Sequence, residues 1–134
     1  MKKIIYFVSI FAIILLTGCS NSKLESISLE NLYKKLDNKE SFILYIDVDD
    51  STLESKLETA LESNNLTGYY LNASKISDEE KLKLEPLITY DASTIVFVIN
   101  GKDPSRLSHV TESSTSVKEI EARLKDMNFI KTEE

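Results

Sequence analysis

Two nearly unbroken apolar runs, set among segments of helical periodicity, predict an α/β fold with one mixed four-stranded sheet packed by helices on its faces. Phe42 to Val48 reads Phe-Ile-Leu-Tyr-Ile-Asp-Val, and Thr94 to Ile99 reads Thr-Ile-Val-Phe-Val-Ile. A strand with one wet face would alternate apolar and polar residues, so unbroken runs suit central strands covered on both sides. The third observation is order, because helical and strand patterns alternate through the first half of the chain. That order implies a parallel β-α-β unit, followed by an antiparallel pair and a closing helix.

Taken in turn, Ser20 to Ile27 reads as a short polar tether. Ser28 then caps a helix with Leu29, Leu32 and Leu36 on one face, ending near Asp37 and Asn38. This extra N-terminal helix precedes the Phe42–Val48 strand. Thr52 to Ser63 places Leu53, Leu57, Ala60 and Leu61 at helical spacing, and Leu66 to Leu71 supplies the next strand. Asp78 to Glu85 is a charged helix stopped by Pro86, its Asp78-Glu79-Glu80-Lys81 run a solvated face. Behind the Thr94–Ile99 strand, Asn100-Gly101 signals a turn, and Arg106 to Thr111 reads as the returning strand of a long-looped hairpin. Ser116 opens the last helix, with Val117, Ile120, Leu124 and Met127 in phase.

The N-terminus carries an address. Met1, Lys2 and Lys3 precede an apolar stretch from Ile4 to Leu16 interrupted only by Ser9. As a helix it spans roughly 20 Å, short of the ~30 Å hydrocarbon core, and so reads as a signal-peptide core. Directly after it stand Leu16, Thr17, Gly18 and Cys19. This run resembles the lipobox of bacterial lipoproteins. The resemblance implies cleavage before Cys19, a diacylglycerol on its sulfur, and a lipid-anchored location on the extracytoplasmic face of the cell membrane. The expected organisation is a signal peptide over 1–18, a lipidated tether over 19–27 and one domain over 28–134.

Composition narrows the chemistry. Loss of Lys2 and Lys3 with the leader leaves 14 basic residues against 22 acidic ones, a formal charge of −8. That sign opposes nucleic-acid binding, which rests on phosphate neutralisation by Lys and Arg. Beyond the leader the only glycines are Gly68 and Gly101, so no Gly-rich phosphate loop exists. A lone histidine, with Cys19 committed to lipid, leaves no ordinary zinc set. No metal or other cofactor is expected.

Two stretches carry a resemblance to the thioredoxin-like proteins, in particular to bacteriocin-export accessory proteins. Ser41-Phe42-Ile43-Leu44-Tyr45-Ile46, a polar loop, then Leu57 and Leu61 follow the pattern of the strand that leads into Cys-x-x-Cys and its helix. Counting back from Leu57 and Leu61 puts the two cysteine positions at Ser51 and Glu54. Ala92-Ser93-Thr94-Ile95-Val96-Phe97, followed by Asn100-Gly101-Lys102, is similar to the segment where a cis-proline precedes the third strand of that fold. Ser93 holds the proline position. The resemblance spans Ser28 to Phe129 and implies a thioredoxin-like three-layer domain. It also implies that the redox site is gone, since thiol–disulfide exchange needs an attacking thiolate and a second sulfur. A cis bond before Ser93 would cost about 2.5–4 kcal/mol, so a trans bond is expected. Ser51 and Glu54 read as a capping box for the helix behind them.

Other constellations compete for a role. Asp47-Val48-Asp49-Asp50-Ser51 resembles the Asp-x-Asp motif of haloacid dehalogenase phosphatases, which implies a Mg²⁺-dependent phosphohydrolase using Asp47 and Asp49. The acidic pair that completes that metal site is missing from any later strand end, since Asp91 precedes its strand. Asp49 and Asp50 are better placed to favour the positive end of the following helix, with weak Ca²⁺ binding by the same loop a further option. His109 stands alone on the returning strand and reads as a satisfied or surface histidine. Tyr45, Tyr69, Tyr70 and Tyr90 are candidates for a binding face, with core packing the better reading. The expectation is a non-enzymatic binding or accessory protein of the cell envelope. Its partners would be membrane lipid through Cys19 and another envelope or secreted protein.

Overall fold

The computed structural model describes residues 23–48, 52–88, 90, 92–103, 109–111 and 114–131. Cys19, its lipobox neighbours Leu16, Thr17 and Gly18, and Asp49, Asp50, Ser51 and Asp91 lie outside those residues. The elements in chain order are β1 (Leu24–Ser26), α1 (Leu29–Asp37), β2 (Phe42–Asp47), α2 (Leu53–Ser63) and β3 (Gly68–Asn72). They continue with a 3₁₀ turn at Ala73–Lys75, α3 (Asp78–Leu84), β4 (Thr94–Val98) and α4 (Val117–Asp126). The four strands form one mixed sheet in the order β1-β3-β2-β4. β1 and β2 run parallel to β3, while β4 is antiparallel to β2. This is an α/β sheet of thioredoxin-like topology.

Strand parity sorts the core into two halves. Phe42, Leu44 and Ile46 of β2 pack with Val96 and Val98 of β4 against Leu32 and Leu36 of α1 and Leu84 of α3. Ile43 and Tyr45, with Ile95 and Phe97, meet Leu53, Leu57 and Leu61 of α2 and Ile120 and Leu124 of α4 on the other face. β2 and β4 are therefore covered on both faces, as their unbroken apolar runs require, although β4 stands last in the sheet order, flanked by the Val110 bridge. Helix starts follow the cap logic: Ser28, Ser77 and Ser116 accept from the backbone N–H of Asn31, Glu80 and Glu119. At α3 the Glu80 carboxylate accepts from the Ser77 N–H in return, completing a capping box.

Three differences from the sequence reading have physical reasons. Leu24–Ser26, expected within the tether, is a strand: Gly68 N–H donates to the Lys23 carbonyl at 2.9 Å, and Ile27 N–H to the Tyr70 carbonyl at 3.0 Å. Gly68 is what lets β1 come close, because a Cβ there would stand 3.2 Å from both the Ile43 carbonyl oxygen and a Leu24 methyl. The expected returning strand, Arg106 to Thr111, contributes among the described residues a single antiparallel bridge, Val110 with Ile95. The sheet keeps four strands, with β1 as a member in place of that segment.

The turn behind β4 is also tighter than expected. Ile99 and Lys102 exchange N–H···O bonds of 2.9 and 3.0 Å around Asn100 and Gly101, both at positive φ. That is a two-residue type I′ turn, which Asn-Gly favours. Gly101 is required twice over, since a Cβ would fall 2.2 Å from the Leu36 carbonyl oxygen. The Thr52 side chain, at the start of α2, makes no capping bond, and the Ser51 half of the expected capping box lies outside the described residues.

Candidate functional site

At the carboxyl end of β2 the backbone ceases to pair, and side chains take over its hydrogen bonds. Asp47 and Tyr70 both point to the α2/α4 face, because Asp47 lies two residues beyond Tyr45, the register partner of Tyr70. Two steps of a strand, roughly 6.6 Å, are within reach of a tyrosine side chain. The Tyr70 hydroxyl donates to Asp47 Oδ2 at 2.5 Å. Ser93 enters from the start of β4 and is only 3% exposed. Its Oγ accepts from Val48 N–H at 3.0 Å and lies 3.5 Å from Asp47 Oδ1, the outer limit of hydrogen bonding.

The bond between Ala92 and Ser93 is trans, as expected. Serine thereby does what a proline there cannot: it caps the end of β2. Glu54, in the first turn of α2, adds its negative charge to this neighbourhood. The Tyr70 hydroxyl is pushed well above the ordinary tyrosine range, first by its bond to the Asp47 carboxylate, then by burial, then by the charges of Asp47 and Glu54. The result is a closed network of donors and acceptors with a phenol that keeps its proton.

The other candidates separate. His109 is not alone: its Nε2 lies 2.8 and 2.9 Å from the two carboxylate oxygens of Asp103, and its side chain is 4% exposed. The partner was invisible in sequence because it sits across the turn behind β4. A cleft of about 430 Å³ beside it is lined by Thr111, Thr115, Glu119 and Arg123. The tyrosines do not share a face. Tyr69 and Tyr90 pack on the α1/α3 side, Tyr70 on the α2/α4 side, and Tyr45 is wholly buried. Asp78, Glu79, Glu80 and Lys81 are exposed, as a solvated helix face should be.

Of the residues singled out in sequence, Asp47 and Ser93 meet directly and Glu54 stands near them. What sequence reasoning missed is the bond of Tyr70 to Asp47, since in sequence Tyr70 reads only as a candidate for a binding face or core packing. Its signal was present in the strand parity of β2 and β3, and needed only the register to be read. Among the described residues no group of three His, Cys, Asp or Glu side chains is placed to hold a metal ion. No family model matches the chain, and no curated protein matches it.

Proposed function

We propose that this protein is a lipid-anchored, extracytoplasmic lipoprotein whose thioredoxin-like domain is redox-inactive and acts by binding. In this reading it is an accessory or scaffold component of the cell envelope that meets another envelope or secreted protein, in a setting of peptide or bacteriocin export or immunity. The observation that carries it is the network at the carboxyl end of β2. Where the fold's redox relatives hold a thiol pair and a cis-proline, the resemblance puts Ser51, Glu54 and Ser93; Ser93 caps Val48, and the Asp47 carboxylate next to it is engaged by Tyr70. Neither group is a sulfur nucleophile, and both are already bonded within the domain.

The same bonds weigh against a phosphohydrolase at Asp47 and Asp49. A Mg²⁺-assisted carboxylate nucleophile uses one oxygen to attack and the other on the metal, and Tyr70 holds one of the two Asp47 oxygens at 2.5 Å. The test has two arms. Metabolic labelling with a fatty acid should mark the wild type and not Cys19→Ala, and crosslinking in native membranes should recover a defined protein partner. Mg²⁺-dependent hydrolysis of a generic phosphate ester that Asp47→Asn abolishes would overturn the binding reading.

A further inference from the structure

We infer that the domain stands upright on the bilayer, with the amino end of its parallel strands against anionic lipid headgroups and the Asp47–Tyr70–Ser93 end turned outward. This rests on the lipid anchor proposed above and says where that anchor holds the fold. Only Ser20, Asn21 and Ser22 separate Cys19 from Lys23, the residue whose carbonyl starts the β1 pairing with Gly68. Four extended steps reach at most roughly 14 Å. The β1 start is therefore held at the headgroups, and whatever shares that end of the sheet is held there too.

The topology says what shares it. The β1 start pairs with Gly68, and the loop after α1 feeds the first residue of β2. The turn behind β4 docks on that loop, with Gly101 N–H donating to the Glu40 carbonyl at 2.8 Å and Asn100 N–H to Ser41 Oγ at 2.9 Å. This end carries Lys23, Lys39 and Lys102, and also Asp37 and the Lys35–Glu40 pair at 3.2 Å by the last turn of α1, and Glu62 in the last turn of α2. The opposite end is richer in acid: Asp47, Glu54 in the first turn of α2, and Asp78, Glu79 and Glu80 in the first turn of α3, against Lys56 of α2 and Lys75 of the 3₁₀ turn.

A six-residue strand separates the two ends by roughly 20 Å, about two Debye lengths at ordinary ionic strength. Tipping the domain onto its acidic end would bring those carboxylates to the anionic surface, which repels them, while the lysines lose theirs. A net acidic domain is thus oriented by its own charge as well as by its tether.

The test uses the full lipidated chain in vesicles of phosphatidylcholine with phosphatidylglycerol. Asn38→Cys, at the α1 terminus, and Ser74→Cys, at the opposite end, each take a fluorophore, since an acylated Cys19 has no thiol to label. Headgroup-attached quencher lipid should quench the Asn38 label several-fold more than the Ser74 label. The contrast should shrink in phosphatidylcholine alone and on replacing Lys23, Lys39 and Lys102 with Glu. Equal or reversed quenching on vesicle-bound protein overturns the orientation while leaving the anchor intact. A contrast indifferent to anionic lipid and to the lysines overturns the headgroup contact. Wild-type protein that fails to float with vesicles, or floats no better than Cys19→Ala, overturns the anchor itself.

Discussion

Tyr70 shows how one hydroxyl ties two strands and two charges together. Its bond to Asp47 is charge-assisted and half-buried, so Tyr70→Phe should destabilise the fold by about 1–2 kcal/mol at neutral pH. The pH dependence has a definite sign. The folded state holds the Tyr70 proton above the ordinary value of 10.0, whereas the unfolded chain releases it there. Beyond about pH 10 the unfolded state binds fewer protons than the folded one, so stability falls as pH rises. Below that pH the contribution is fully present. Urea midpoints measured from neutral pH to about pH 11 should show this alkaline loss in the wild type and a shallower one in Tyr70→Phe. Identical slopes in the two proteins would place the ionising group elsewhere.

At the scale of elements, β1 is the strand whose contribution is easiest to underestimate. It has three residues, yet Leu24 and the adjoining Ile27 are each only 8% exposed. Burying two such aliphatic side chains stabilises a domain by roughly 3–5 kcal/mol, a large share of a typical 5–15. A chain beginning at Ser28 should therefore unfold at a markedly lower denaturant midpoint than one beginning at Ser20. Equal midpoints would mean that β1 is decoration. The same strand explains what was legible in sequence and what was not. α1 and α4 announce themselves by a serine cap and apolar residues in phase, α3 by its charged run and Pro86, and β2 and β4 by unbroken apolar runs. Leu-Glu-Ser offers one apolar residue and no period, so only its partner Gly68 and the burial of Leu24 reveal it. Likewise the family pattern implied that Ser93 lies by the start of α2, whereas its contact with Asp47, the Tyr70 bond and the Asp103 partner depended on register and on the path of the chain after a turn.

For the molecule as a whole, charge is the property that local reading reaches last. Each of α1, α3 and α4 carries acidic residues in its first turn and basic ones in its last, the arrangement that complements its dipole. The elements are laid side by side, so these local preferences add into an asymmetry along the strand direction, superimposed on the overall excess of acid. Repulsion among Asp47, Glu54, Asp78, Glu79 and Glu80 opposes folding at low salt. Of the ion pairs that salt would weaken, Lys34 with Glu30 and Lys83 with Glu79 are exposed and contribute at most about 0.5 kcal/mol each, Lys81 with Asp78 is long at 4.0 Å, and Lys35 with Glu40 is partly exposed. Raising salt shortens the Debye length to about 10 Å at 0.1 M and still less beyond it. Repulsion spread over many pairs then loses more than a few local attractions do. The melting temperature should accordingly rise by a few degrees between low and high sodium chloride, and charge-reducing variants at Glu79 and Glu80 should lessen the increment. A fall with added salt would mean that the exposed pairs outweigh the acidic end, against the order of magnitudes that their exposure allows.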